Sequence, residues 1–357
     1  MRDLSFAFVL LVFLSGTVVG QKMPRFSWDT LPVAYHGSNT TAPKGMYSPE
    51  SLKVLAKFAV VTLEKYQGIN GFPGKWNECQ NGTDVSKCGC CIEDNIVDVG
   101  KEIKKIDPTT MVMGYWHSNK EYPMYRYGQI LSKNQKWWCV KEDGTVPGYP
   151  TQVQWDHANK EASETWAEGC LAMTNTGYVD GCFFDGCTKD ECHSGNPEYM
   201  TNKKATMIEL QTKTPGPLIC GSNGGIIQGV MGTQIQNWGK GENWSTREIP
   251  MIMKAMDAGI MFQSHGPCPS HADDPVTINN IAAFLIGAGP YSYYMCGSWT
   301  NPPLDWWPIY DFALGAPLSN ATLGEDGIWK RSFESGTKAT FDTNTETGTI
   351  EWAKTKL

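Results

Sequence analysis

The chain has 357 residues, a formal net charge of −7 and a pI near 5.5, with no block of Lys and Arg, which leaves nucleic-acid or anionic-membrane binding without electrostatic support. That length accommodates one large domain or two smaller ones. Twelve cysteines, an even number, point to a disulfide framework if the compartment is oxidising.

The N-terminus speaks to that compartment. Arg2 gives a basic start, Leu4 to Leu14 form an apolar core too short to span a bilayer, and Val18-Val-Gly20 supplies small residues for cleavage. Residues 1–20 therefore read as a secretory signal, with the mature chain starting at Gln21 and secreted to the extracellular space. No second long apolar run follows, so the sequence predicts no membrane anchor. Four sequons, at Asn39, Asn81, Asn243 and Asn320, suit a secreted glycoprotein. The tight group Cys79, Cys88, Cys90 and Cys91 matches no paired C-x-x-C ribbon, and the compartment favours bridges over zinc. Cys187 and Cys192 flank a short loop and form one candidate bridge. Cys268 and Cys296 lie just past neighbouring predicted strands and form another.

From Pro32 onward, short β-rich runs that end in polar residues alternate with helical patterns. In order the runs are Pro32–Asn39, Phe58–Glu64, Met111–His117, Val179–Asp185, Pro217–Asn223, Thr233–Trp238, Ile260–His265 and Tyr291–Cys296. Alternation of this kind predicts parallel βαβ units, and eight of them predict an α/β fold closed as a (β/α)8 TIM barrel. Between the runs, Ser48-Pro49 reads as an N-cap followed by proline, opening a helix over Pro49–Lys57. Glu93 to Ile106 is amphipathic and stops at Asp107-Pro108. A helix over His157–Thr176 ends at Gly177, a left-handed cap. Ser245-Thr-Arg-Glu248 reads as a capping box ahead of Ile249–Ala258, and Asp274-Pro275 opens a helix reaching Leu285. Residues 120–156, rich in Trp, Tyr and Lys, form the longest interruption and predict a lid or wall over one barrel mouth. Last, Lys338–Phe341 and Thr349–Trp352 flank a polar turn with period-two alternation. They predict a short C-terminal β-hairpin packed on the barrel. The division is a signal over 1–20, a barrel over 21–330 and the hairpin over 331–357.

Barrels of this class gather their chemistry at the C-terminal ends of the strands. There the sequence places His36, Glu64, His117, Asp185, Asn223, Asn237, His265 and Trp299. Glu64 and Asp185 each end an apolar strand, where a charge must be paired or used; the plainer alternative for Asp185 is a cap on the following loop. Glu242, in the glycine-rich stretch after the sixth strand, is a third candidate acid. Paired carboxylates suit glycoside hydrolysis, one protonating the leaving oxygen and the other attacking the anomeric carbon or activating water. No strand offers His-X-His, so His36, His117 and His265 read as hydrogen-bonding partners of a substrate, or as interior histidines, rather than metal ligands. Neither a metal nor another cofactor is expected. Aromatic rings crowd the same loops, and flat rings with polar edges suit sugars. Tyr115, Trp238 and Trp299, with the three histidines and Asn223, are the expected substrate contacts.

Several stretches resemble one known group. Val61-Thr-Leu-Glu-Lys-Tyr-Gln-Gly68, Gly177-Tyr-Val-Asp-Gly-Cys-Phe-Phe-Asp185, Ala282-Ala-Phe-Leu-Ile-Gly-Ala-Gly289 and Tyr310-Asp-Phe-Ala-Leu-Gly-Ala-Pro-Leu318 resemble secreted eukaryotic proteins classed as hypothetical glycoside hydrolases with a TIM barrel. The tail, Trp329 to Lys338 with Gly348-Thr-Ile-Glu-Trp352, is similar to their terminal hairpin. The resemblance implies the fold and a carbohydrate substrate. In retaining barrels that resemble α-galactosidases, the nucleophilic Asp ends strand four and the acid follows strand six. Asp185 matches the first position, whereas Gln236 and Asn237 occupy the end of the sixth strand and Glu242 lies farther along. The expected function is cleavage of an oligo- or polysaccharide, with a catalytically silent sugar-binding or structural barrel as the alternative.

Overall fold

The eight apolar runs pair in sequence order into one parallel sheet: β1 (Ala34–Gly37), β2 (Val60–Leu63), β3 (Met111–His117), β4 (Gly181–Asp185), β5 (Ile219–Gly221), β6 (Gly232–Gln236), β7 (Met261–Gly266) and β8 (Ser292–Cys296). The computed structural model describes residues 21–72, 89–149, 152–221, 223–241, 243–266, 273–302 and 304–353. The sheet closes on itself, because Val33 bridges Tyr294 in parallel and the Tyr294 N–H donates to the Pro32 carbonyl at 2.8 Å. The result is the (β/α)8 barrel expected from the alternation. Contacts between strands that are not sheet neighbours confirm the closure. His36 of β1 lies 4.6 Å, ring to ring, from Phe183 of β4, and its Nδ1 is 3.2 Å from Gln234 of β6. Both contacts cross the barrel interior.

Helices cover the outside: α1 (Pro49–Leu55), α2 (Ile92–Ile106), α3 (Arg126–Lys133), α4 (Lys160–Thr174), α5 (Glu198–Lys213), α6 (Ile249–Asp257) and α7 (Pro275–Gly287). Two predicted caps hold as read. Ser48 Oγ accepts from the Ser51 N–H at 3.1 Å, and Asp274 Oδ1 from the Val276 N–H at 2.8 Å. Gly177 closes the fourth helical segment with a left-handed φ of 77°, a conformation that costs glycine nothing. The capping box at Ser245 is not made. Residues Trp244–Glu248 form a π-helical turn, Ser245 Oγ turns instead to Glu346, and Glu248 Oε1 accepts from the Gly239 N–H at 2.8 Å. A tertiary partner for each side chain outcompeted the local reciprocal bond.

Two helices have no counterpart in the sequence reading. The inward positions of α5 are Tyr199, Lys203, Met207, Leu210 and Gln211, a regular helical stripe in which two of five members are polar. Hydrophobic periodicity is blind to such a stripe. Helix α3 lies within the 120–156 interruption, whose described residues include the buried Tyr122, Tyr125, Trp137 and Trp155.

The C-terminal hairpin is present as β11 (Lys338–Asp342) and β12 (Thr347–Glu351), and two more strands, β9 (Thr322–Leu323) and β10 (Ile328–Ser332), extend it to a four-stranded antiparallel sheet. It packs on α7. The Gly348 N–H donates to Asn279 Oδ1 at 2.9 Å, and Arg331 donates to the Leu285 carbonyl at 2.9 Å. A side chain at Gly348 would stand 2.4 Å from the Ala282 Cβ, so glycine here is what lets strand and helix approach.

Four disulfides join described residues: Cys90–Cys91, Cys139–Cys192, Cys170–Cys182 and Cys187–Cys220. The expected Cys187–Cys192 bridge is therefore wrong. The parallel register sets Asp185 beside Gly221, which brings Cys187 against Cys220 of β5, while Cys192 reaches back to Cys139 in the 120–156 segment. Cys296 is also disulfide-bonded; Cys268, Cys79 and Cys88 lie outside the described residues, as do residues 1–20. Asn243 and Asn320 are exposed and Asn39 is half-buried, while Asn81 lies outside the described residues. No helix among the described residues is long and apolar enough to cross a membrane.

Candidate active site

A cavity of about 150 Å³ opens at the C-terminal ends of the strands, lined by Glu64, Lys65, Asp185, Gln236, Asn237 and Trp299. Four different strand ends supply these residues, as barrel topology requires. Asp185 is its floor. Tyr115 Oη donates to Asp185 Oδ2 at 2.9 Å, and Gln236 Nε2 to Oδ1 at 3.2 Å. The Asp185 carbonyl accepts from the Ser118 N–H at 2.9 Å and from Ser118 Oγ at 2.6 Å. Gly186 then turns left-handed, with φ 69°. Burial pushes the Asp185 carboxyl up, but His117, once it takes up a proton at low pH, the Lys65 ammonium, and the bonds from Tyr115 and Gln236 outweigh it, leaving it below the usual aspartate range. The loop-cap alternative fails: neither carboxylate oxygen of Asp185 is spent on its own loop.

Glu64 follows β2 directly and is almost wholly buried. Lys65 donates to it three times, from its backbone N–H at 2.9 Å and from Nζ at 3.1 and 3.3 Å. His36 Nε2 stands 3.5 Å away on the other side. Both oxygens of Glu64 are thus engaged by Lys65.

Three predicted histidines lie beneath the cavity. His265 stacks on Trp299, 3.7 Å between ring centres and 18° apart, and His36 meets both rings edge-on. His117 Nδ1 accepts from the backbone of Asn119 at 3.0 Å and Lys120 at 3.2 Å, which fixes its proton on Nε2. Burial pushes His117 and His157 down to about 3, holds His265 well below its ordinary value, and lowers His36 despite Glu64 beside it. All four are neutral at pH 7.

Two predicted contacts lie elsewhere. Trp238 is buried among the helices, its Nε1 donating to the Asn280 carbonyl at 3.1 Å. It lies two residues past the end of β6 and packs against α7, so it serves packing. Asn223 is exposed, in a left-handed turn after β5, and does not line the cavity. Glu242 lies outside the described residues. Sequence reasoning passed over Lys65, although it sits beside Glu64 in a quoted motif, because a lysine one residue past a strand normally points to solvent. Lys203 was missed too. It is fully buried, and its Nζ donates to the carbonyls of Gly186 at 3.0 Å and Lys189 at 2.8 Å, tying down the loop after Asp185.

Buried neutral histidines carry a pH signature. Each has a folded pKa below its unfolded value of about 6.5, so the unfolded chain binds the proton first and stability falls as pH drops through that window. Burial raises Glu93 to about 7 and lifts Glu121 and Glu248 as well; these act oppositely and offset the histidines down to about pH 4.5. Below that, these raised carboxyls are protonated in both states, and the histidines, at up to about 1.4 kcal/mol per pH unit each, act together with the lowered carboxylates, Asp185 among them. The melting temperature should thus change little between pH 6.5 and 5, then drop steeply from 4.5 to 3. His157→Gln should make that drop shallower; an equally steep one would remove His157 as a contributor.

Solved structures place the architecture. A maltogenic α-amylase, AmyB from Thermotoga neapolitana, superposes with a TM-score of 0.54 at 12% identity, over 87% of this chain and 85% of that one. A variant of the GH36 α-galactosidase AgaA from Geobacillus stearothermophilus, in complex with 1-deoxygalactonojirimycin, gives 0.51 at 9% identity over 89% of this chain. This chain spans 48% of that galactosidase. At such identities the likeness is one of fold alone. No curated protein matches the chain. The model of hypothetical glycosyl hydrolase family 15 matches residues 104–218 and 227–337, well over half of the sequence, and the chain belongs to that family.

Proposed function

We propose that the protein is a secreted, disulfide-bonded glycoside hydrolase that cleaves an oligo- or polysaccharide, with Asp185 as the carboxylate that attacks the anomeric carbon or activates water. One observation carries the reading: Asp185 is held anionic on the floor of a polar cavity at the C-terminal mouth of the barrel, with both oxygens oriented by Tyr115 and Gln236. An oriented anion there stabilises an oxocarbenium-like centre without reorganisation. Trp299 offers one flat face for a sugar ring, backed by His265, and the amides of Gln236 and Asn237 suit hydroxyls. The bridged cysteines support an oxidising compartment, and Asn243 and Asn320 are exposed enough to carry glycans.

A second reading has its own support. With Glu64 engaged by Lys65, the described residues lining the cavity include no carboxylic acid free to protonate a leaving oxygen; Glu242 remains the candidate for that role. Without such an acid the barrel is a silent carbohydrate binder. A panel of labelled glycans, read for both cleavage and retention, separates the two. The hydrolase reading expects cleavage of at least one glycan by the unmodified protein. Retention without cleavage across the panel would establish the binder instead.

A further inference from the structure

Lys65 is the basic residue among those that line the cleft. Its side chain is only 12% exposed, yet it lines the same cavity as Asp185. Its ammonium stands 4.2 Å from the centre of the Tyr115 ring and 4.8 Å from that of Tyr66, with Tyr122 at 6.0 Å. Glu64 Oε2 accepts from the same ammonium at 3.1 Å, and His36 Nε2 stands 3.5 Å from the other oxygen of that carboxylate. A buried ion pair rarely repays its desolvation, and packed apolar residues of similar volume serve stability as well. So elaborate a mount for one ammonium at the mouth of a barrel calls for a role beyond stability.

The groups facing Asp185 can be taken in turn. Tyr115 from β3 and Gln236 from β6 donate neutral hydrogen bonds. His117, beside it on β3, is uncharged at pH 7 because burial pushes it down to about 3. Asn237 and Trp299 carry no charge, His36 is buried and lowered, and Glu64 is an anion that opposes a second one. Lys203 is spent on the carbonyls of Gly186 and Lys189 and does not line the cavity; among the described residues that do line it, Lys65 is the one with a positive charge.

We propose that Lys65 is the positioning residue that keeps Asp185 anionic, with Glu64 and the tyrosine rings holding its ammonium in place. The proposal rests on reading Asp185 as the reacting carboxylate, but its test needs no turnover. The carboxyl carbons of aspartate-labelled protein are titrated by 13C NMR, and the Asp185 signal is identified by its loss in Asp185→Asn. In Lys65→Met the Asp185 midpoint should rise by roughly one to two pH units, the size expected when an opposite charge nearby is removed. Lys65→Arg should keep it near the original value. Lys65→Gln, which retains a donor toward Glu64, is the second neutral variant should the first fail to fold, and the same rise is expected. An unchanged midpoint in a folded neutral variant overturns the proposal, even if hydrolysis by the unmodified protein has been found. A raised midpoint upholds it even in a barrel that cleaves nothing.

Discussion

Asp185→Asn should abolish turnover while leaving a folded protein. The substitution keeps the shape of the side chain and lets its oxygen still accept from Tyr115 Oη, 2.9 Å from Oδ2 in the native residue. What it removes is the negative charge that attacks or stabilises the anomeric centre. Losing a group that acts at the reacting atoms typically lowers kcat by about 10⁴-fold or more. Melting should move little, since the backbone carbonyl of residue 185 still accepts from Ser118. Sugar affinity should largely persist, because Trp299 and the amides are untouched. The assay is kcat/KM on whichever glycan the native protein cleaves, paired with a melting curve. Ordinary turnover by the folded variant would leave Asp185 without a catalytic role.

The second large effect is on stability and falls on the same strand. Cys182, Cys187 and Cys192 bracket Asp185, and each is tied to a different part of the fold: α4 through Cys170, β5 through Cys220, and the 120–156 segment through Cys139. The Cys187–Cys220 bridge closes a span of 33 residues, for which the loop-entropy account gives about 3–4 kcal/mol. In a domain of this size that is a fall in melting temperature of roughly 5–10 °C. The paired replacement Cys187→Ser with Cys220→Ser should show it, and activity should weaken in the variant below its melting point, because Cys187 lies two residues beyond Asp185. A melting curve superimposable on the native one would make this bridge dispensable.

The barrel was legible because its strands announce themselves. Val60-Val-Thr-Leu-Glu64 and Gly181-Cys-Phe-Phe-Asp185 are apolar runs ending in a charge, and chain order alone then fixes which ends share a mouth. What escaped the sequence did so for definite physical reasons. Helix α5 turns Lys203 and Gln211 inward, where each is satisfied by hydrogen bonds, Gln211 Oε1 accepting from the Leu218 N–H at 2.8 Å; an inward polar residue breaks the hydrophobic period without breaking the helix. Lys65 folds back over Tyr115 instead of reaching for water, a choice made by tertiary neighbours 50 residues away in sequence. Trp238 shares the aromatic character of Trp299 but not its direction, and composition does not carry direction. The Cys187–Cys220 pairing depended on strand register, which spacing between cysteines does not encode.

The central claim, a hydrolase acting through Asp185, is tested most directly by incubating the protein with a broad panel of oligosaccharides in water enriched in ¹⁸O. The products are then read by mass spectrometry, with Asp185→Asn as the parallel sample. The account predicts that at least one glycan is cut, that each new reducing end carries a single ¹⁸O, and that the label is lacking in the variant. Cleavage with label in a folded Asp185→Asn sample, or no labelled product from the native protein with any member of the panel, would contradict it.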